Sequence, residues 1–271
     1  MTDDYYLREL TQEDWKKYQE MDLLIFPEET VREESYHRSL SGPKSLAVVA
    51  VEKETNDFIG YFMVSIYGKE GHVKRIGTHP NHLRKGVGSK LLERAIFHLK
   101  SAGCNEFFLY VKSENEAAIK LYEKFGFVSE ERSYQFIIPL DKTKEKPRGR
   151  CRSVEWGEIQ LLSLRFNLNP FRVQQFFGME NQHVLVFEIM GQQLGFCRFS
   201  PDFPGGMPFI LKDTQYTMDF VTHLGKLVTN KEFTSFRVTF DGQISLYQKL
   251  LDEKMELNYE LLKMTLQDAG E

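Results

Sequence analysis

Arg84-Lys85-Gly86-Val87-Gly88-Ser89-Lys90 sets two glycines one residue apart among basic and hydroxyl side chains, directly ahead of the apolar series Leu91, Leu92, Ala95, Ile96 and Leu99. That series has the spacing of an amphipathic helix, so the glycines stand at a helix N-terminus. The first N–H groups of a helix have no intrahelical partner, and the macrodipole places partial positive charge on them. With no side chain at Gly86 or Gly88, a phosphate can approach those amides closely. The chemistry expected of the segment is anion binding. No Gly-x-x-x-x-Gly-Lys-Ser/Thr run surrounds Gly86, which disfavours a nucleoside triphosphatase.

A second constellation follows in Asn115-Glu116-Ala117-Ala118-Ile119-Lys120-Leu121-Tyr122-Glu123-Lys124-Phe125-Gly126-Phe127. Asn115 suits an N-cap, Ala117 to Phe125 carries an apolar helical stripe, and Gly126 suits the left-handed position that ends a helix. Tyr122 brings a phenol with an ordinary pKa near ~10, able to hand a proton or a hydrogen bond to a departing anion. Its other reading is a helix tyrosine packed on a sheet. Between the two helices, Phe107 to Val111 reads as a strand.

A glycine loop opening a helix, then a strand, then Asn-x-Ala-Ala-x-x-Leu-Tyr-x-x-x-Gly-Phe resembles the GNAT superfamily of acyl-CoA-dependent N-acyltransferases over residues 1 to about 140. The resemblance implies an α/β (α+β) fold with a mixed, mostly antiparallel central sheet flanked by helices. It implies that the backbone of Leu83, Arg84, Lys85, Gly86, Val87 and Gly88, with Ser89 and Lys90 beside it, holds the pyrophosphate of coenzyme A. Leu83 departs from the family's usual Arg or Gln. His72-Val73-Lys74-Arg75-Ile76-Gly77-Thr78 falls on the family's fourth strand, where Ile76 and Thr78 would offer backbone groups to the pantetheine arm. Asn115 would contact the cofactor, and Tyr122 would serve as general acid.

The implied activity is transfer of an acetyl group from acetyl-CoA, the cosubstrate, to a primary amine that attacks the thioester directly; no metal is called for. Such an amine has a pKa near ~10.4 and must lose a proton before attack. No carboxylate lies between His72 and Thr78, so the base is not evident. Glu70 and His72 are the nearest candidates, each also readable as a solvated strand end, and a water chain would leave no trace. His79, beside Pro80, reads as turn. Phe26-Pro27-Glu28-Glu29-Thr30-Val31-Arg32-Glu33-Glu34 sets four glutamates against one arginine, which could draw in a cationic acceptor, whereas Thr30 with Glu33 also reads as a capping box. The alternative to an enzyme is a catalytically weak acyl-CoA-binding sensor or interaction module.

The elements that would hold these residues need a sizeable core. With 271 residues, 41% hydrophobic and 27% charged, the chain has room for two soluble domains. No apolar run approaches the ~20 residues of a spanning helix, and Met1-Thr2-Asp3-Asp4 opens acidic where a secretory signal opens basic. Three cysteines, Cys104, Cys151 and Cys197, lack metal spacing. Together these point to the cytoplasm. A net charge of −4 argues against a general nucleic-acid binder. The acceptor expected is a small molecule or a protein amine.

Asp141 to Arg150, basic and without a large apolar residue, reads as an interdomain linker, giving domains 1–140 and 153–271 around a 141–152 connection. Val184-Leu185-Val186-Phe187 with Gln193-Leu194-Gly195-Phe196-Cys197 echoes Val48-Val49-Ala50-Val51 with Phe58-Ile59-Gly60-Tyr61-Phe62, and Ile244 to Lys249 echoes Ile119 to Lys124. The second half is thus expected to be a diverged copy. Gly60 to Thr78 and Gly195 to Asp213 both span 18 positions, after which Asp213-Thr214-Gln215-Tyr216-Thr217-Met218 runs straight into a helix through Phe220, Val221, Leu224 and Leu227. With no glycine loop there is no seat for a pyrophosphate, and Tyr247 is expected to pack rather than react. Pro204-Gly205-Gly206 reads as a loop. The assembly expected is a monomer with pseudo-dimeric tandem domains or a homodimer.

Overall fold

The computed structural model describes residues 4–27, 31–41, 44–179 and 181–267. The chain divides into two compact units, the first of Met1–Tyr110, Asn115–Ser129 and Met264–Glu271, the second of Val111–Glu114 and Glu130–Lys263.

The first unit runs β1 (Tyr5–Glu9), α1 (Trp15–Ile25), α2 (Glu33–Ser41), β2 (Ser45–Glu52), β3 (Phe58–Tyr67), β4 (Glu70–Thr78), α3 (Val87–Ser101), β5 (Glu106–Lys112) and α4 (Glu116–Lys124). Strands β1 to β5 lie in sequence order, antiparallel except for the parallel pair β4 and β5. All ten residues of β3 are buried, as expected of a strand covered on both faces. On one face Trp15, Tyr18, Met21 and Tyr36 of α1 and α2 pack on Val49, Val51, Tyr61 and Met63. The apolar stripe of α3, from Val87 through Leu91, Leu92, Ala95, Ile96 and Leu99, is buried in full.

The chain continues through β6 (Val128–Pro139), β7 (Arg150–Ser153), α5 (Ile159–Phe166), α6 (Pro170–Phe177), β8 (His183–Ile189), β9 (Gln192–Ser200), β10 (Gly205–Leu211), α7 (Thr217–Gly225), β11 (Ser235–Asp241), α8 (Ile244–Asp252) and β12 (Glu256–Gln267). In the second unit the sheet order is β6, β11, β10, β9, β8, β7, with β10 and β11 parallel. One face is covered by α5 and α6 through Ile159, Leu162, Phe166, Val173 and Phe176, the other by α7 and α8 through Phe220, Val221, Leu224, Leu246 and Leu250. Both units therefore carry the mixed, mostly antiparallel sheet with flanking helices that the sequence predicts.

Four expectations change. The division does not fall at residue 140, because Ser133–Pro139 of β6 pairs antiparallel with β11 and so counts with the second unit. The stretch read as a linker is fastened to that unit: Lys144 Nζ and Arg148 Nη2 hold the buried Asp219 carboxylate at 3.0 and 2.8 Å, and Arg150–Ser153 forms the edge strand β7. Gly205 and Gly206 lie inside β10, not in a loop, paired with Ser200 and Phe199 on one side and with Arg237 and Val238 on the other. Helix α7 also ends at Gly225, with Leu227 in the turn beyond it. The acidic stretch of 26–34 joins α1 to α2, but Glu28, Glu29 and Thr30 lie outside the described residues, and with them the proposed capping box.

Candidate active site

Gly86 N-caps α3 with φ +85°, and a Cβ placed there would meet nothing within 4 Å. The glycine is needed for its left-handed backbone rather than for space. Lys90 N–H reaches the Gly86 carbonyl at 3.0 Å, the first helical bond. Residues 83–86 form a turn, and among the described residues no close backbone hydrogen bond engages the N–H groups of Arg84, Lys85, Gly86, Val87, Gly88 and Ser89. These are the groups an anion would take. Leu83, Arg84, Lys85 and Lys90 are exposed around them, with Lys90 paired to Glu93 at 3.2 Å.

The strand leading to this loop is open along one edge. Strands β4 and β5 pair from Glu70 with Glu106 to Val73 with Leu109 and then part, so among the described residues β3 is the one strand that pairs with Arg75 to Thr78. A register shift at Lys74 marks a bulge at the parting point. His79 N–H donates to the Ile59 carbonyl at 2.9 Å, and because backbone groups alternate along a strand, those of Ile76 and Thr78 turn the other way, to the open edge.

Loop, strand and α4 meet at Gly88. A Cβ there would lie 3.2 Å from Thr78 Oγ1 and 3.6 Å from Leu121 Cδ2, the neighbour of Tyr122. Tyr122 is 6% exposed, edge-on to Phe127, and no hydrogen bond within the described protein engages its hydroxyl. Burial pushes its pKa up to about 12. Helix α4 starts where Asn115 Oδ1 accepts from Ala118 N–H at 3.1 Å and ends before Gly126 at φ +89°. Asn115 thus caps the helix with its oxygen, leaving its amide hydrogens for a ligand.

The two base candidates separate. Glu70 begins the paired half of β4, about 25 Å along the strand from Thr78 at ~3.3 Å per residue. His72 lies one residue before the last paired position, stacked on Phe108 at 4.3 Å and edge-on to Tyr110 at 6.0 Å. Of the pair, only His72 borders the parting of the strands. His79 accepts from Asn81 N–H and makes the turn expected of it.

One buried group has no counterpart in the sequence reading. Asp22 of α1, 1% exposed, accepts from Tyr61 Oη, from Tyr18 Oη at 3.4 Å and from Arg75 of β4 at 2.8 and 3.0 Å. The Arg75 guanidinium lies 4.0 Å from the centre of the Phe26 ring. Nothing local in the sequence pairs residues this far apart; only the apolar environment of an acid inside the α1 stripe hints at it. No group of three or more His, Cys, Asp and Glu able to hold a metal occurs among the described residues, and none of their helices is long and apolar enough to cross a membrane.

In the second unit no such loop precedes α7. Asp213 caps the turn at Thr214–Tyr216 through Gln215 N–H, and the helix follows at Thr217. Tyr247 packs tilted against Tyr134 at 4.4 Å and edge-on to Phe136 at 5.7 Å, in the packing place expected of it.

Residues 6–127 match the Acetyltransferase (GNAT) family. N-alpha-acetyltransferase 30 of Xenopus laevis is 30% identical over 70 residues, 26% of this chain and 26% of that protein. Mycothiol acetyltransferase of Streptosporangium roseum is 35% identical over 79 residues, 27% of this chain and 23% of that protein. The matched stretch spans about a quarter of either relative. The structure is similar to that of a tandem GNAT protein from the clavulanic acid biosynthesis pathway, at 13% identity and a TM-score of 0.65, over 98% of this chain and 99% of that one.

Proposed function

Residues 6–127 carry a domain of the Acetyltransferase (GNAT) family, and from that premise we propose that the first unit transfers an acetyl group from acetyl-CoA to a primary amine. What supports this most is the meeting at Gly88 of the loop amides of Arg84 to Ser89, which make no close backbone hydrogen bond, the open edge of β4 and the helix of Tyr122. The amides of Arg84 to Ser89 take the pyrophosphate, and Ile76 and Thr78 pair with the amide arm as an added strand would. An arm laid from Thr78 toward Lys74 brings its sulfur to the parting of β4 and β5. There the amine attacks the thioester carbonyl, the C–N bond forms and the C–S bond breaks. Tyr122, still protonated at neutral pH, supplies the proton to the leaving thiolate. His72, at the edge of the parting, is the side chain placed to take the amine's proton, directly or through water.

The acceptor of this reading is a small molecule or a protein amine. A panel of small amines, amino acids and peptides incubated with acetyl-CoA, followed by mass spectrometry together with thiol release, tests the reading. One or more acceptors should gain an acetyl group in step with free coenzyme A. The absence of a carboxylate on the open part of β4 favours one other reading, an acyl-CoA-binding sensor; acetyl-CoA binding with no acceptor raising thiol release would support it and defeat the enzyme.

A further inference from the structure

The second unit repeats the open strand edge of the first and then closes it from within. Strand β10 pairs with β11 only at Gly205 and Gly206, and from Phe209 to Leu211 it is held by β9 alone. The registers align the two units: Gly60 opposite Thr78 and Phe62 opposite Ile76 correspond to Gly195 opposite Leu211 and Cys197 opposite Phe209. The counterpart of Thr78 is therefore Leu211, two residues before the Asp213 that sequence spacing suggests. Lys212 N–H donates to the Leu194 carbonyl at 2.8 Å, as His79 does to Ile59, so Phe209 and Leu211 turn their backbone groups to the open edge.

There they meet the side chain of Gln243. Its Oε1 accepts from Leu211 N–H at 2.9 Å and its Nε2 donates to the Phe209 carbonyl at 3.0 Å. One carboxamide thus answers both backbone groups of the edge, in the way the amide of an extended chain would. Gln243 stands just before α8 with φ +37°, a left-handed backbone that a glutamine adopts only at a cost. Asn115, just before α4, instead keeps its carboxamide on its own helix.

We propose that Gln243 is a built-in stand-in for the amide of an acyl-CoA arm, which closes the second cleft so that the chain binds one acyl-CoA and not two. The proposal rests on the reading that the equivalent edge in the first unit, at Ile76 and Thr78, receives that arm. The second unit has then lost its cofactor twice, once through the missing glycine loop and once through a side chain occupying the groove. Pantetheine, which carries the amide arm but no nucleotide, separates the two losses.

Backbone amide NMR on the full chain tests this, with Leu211 as reporter. In the wild-type protein millimolar pantetheine should leave the Leu211 amide unmoved, and acetyl-CoA titrated by calorimetry should saturate at one equivalent. In Gln243→Ala hydrogen exchange at Leu211 should rise by roughly tenfold, the scale of one lost hydrogen bond, and pantetheine should now shift it. Gln243→Asn suits the left-handed backbone but is one methylene short, and should behave alike if the alanine variant fails to fold. A second equivalent of acetyl-CoA in the wild type, a pantetheine shift at Leu211 in the wild type, or none in either variant would overturn the proposal. Amides of Ile76 and Thr78 that ignore acetyl-CoA would instead defeat the reading of the first unit, while Leu211 continued to report on Gln243.

Discussion

Arg75 grips Asp22 through two parallel hydrogen bonds, Nε to Oδ1 at 2.8 Å and Nη2 to Oδ2 at 3.0 Å, and so joins the last turn of α1 to the strand whose edge lies open. Tyr61 and Tyr18 complete the shell of the carboxylate, so Asp22→Ala removes the acceptor that a guanidinium and two phenols share, leaving Arg75 Nε its 2.9 Å hydrogen bond to Tyr61 Oη. The expected loss is about 3–5 kcal/mol, the range for breaking a buried pair from one side. Urea unfolding followed by tryptophan fluorescence would read it; a change within about 0.5 kcal/mol would show that the network is dispensable.

The two loop glycines should respond differently. Gly86→Ala meets open space but a left-handed backbone, costing about 1 kcal/mol and weakening acetyl-CoA binding several-fold. Gly88→Val crowds Thr78 Oγ1 and, on the proposed reading, projects into the pyrophosphate seat, so its loss of affinity should be the greater by at least roughly tenfold. Calorimetry on the folded variants gives the order, and equal losses would mean that Gly88 does not face the ligand.

Stability should fall at both ends of the pH scale, for opposite reasons. Burial raises the phenols of Tyr18, Tyr36, Tyr61 and Tyr122 above the usual value, that of Tyr122 to about 12. Their unfolded counterparts ionise near pH ~10, so the stability they lend is whole below that value and declines as the pH climbs toward about 12. Tyrosinate absorbance should therefore rise together with loss of structure, and a non-cooperative rise in a still-folded protein would contradict it. For Asp219, burial works to raise the pKa, but the hydrogen bonds from Arg148 and Lys144 outweigh it and the net shift is downward. The hold on residues 141–149 is then present above the unfolded value near ~3.9 and is lost as the pH falls below it, which hydrogen exchange in that segment would register.

What could be read from the sequence was local. Gly86 before an apolar stripe, Asn115 as a cap and Gly126 as a stop are each settled within a turn or two of chain, and all three hold in the structure. What escaped depends on residues far apart. Lys144 and Arg148 look like a solvated run until Asp219 is seen to be buried beneath them. Gly206 looks like a loop residue because its reason for being small is Cys197 on the neighbouring strand, whose Sγ would lie 2.5 Å from a Cβ there. Equal spacing put Asp213 in the place of Thr78, whereas strand pairing gives that place to Leu211; counting along the chain cannot register the two positions by which the stretch from Gly195 to Leu211 is shorter than that from Gly60 to Thr78. Asp22 and Gln243 were missed for the same reason, since their partners lie 53 and 32 to 34 residues away.

The central claim is acid catalysis by Tyr122 on an acyl-CoA held at the edge of β4. Tyr122→Phe keeps the ring that packs on Phe127 and removes only the hydroxyl. The measurement is thiol release in a single turnover, with enzyme in excess over acetyl-CoA and a saturating acceptor found by the amine panel, beside Tyr247→Phe as control. The account predicts a rate lower by about 10²–10⁴-fold in Tyr122→Phe with acetyl-CoA affinity kept, and an unchanged rate in Tyr247→Phe. A Tyr122→Phe enzyme that releases thiol at the wild-type single-turnover rate would contradict it.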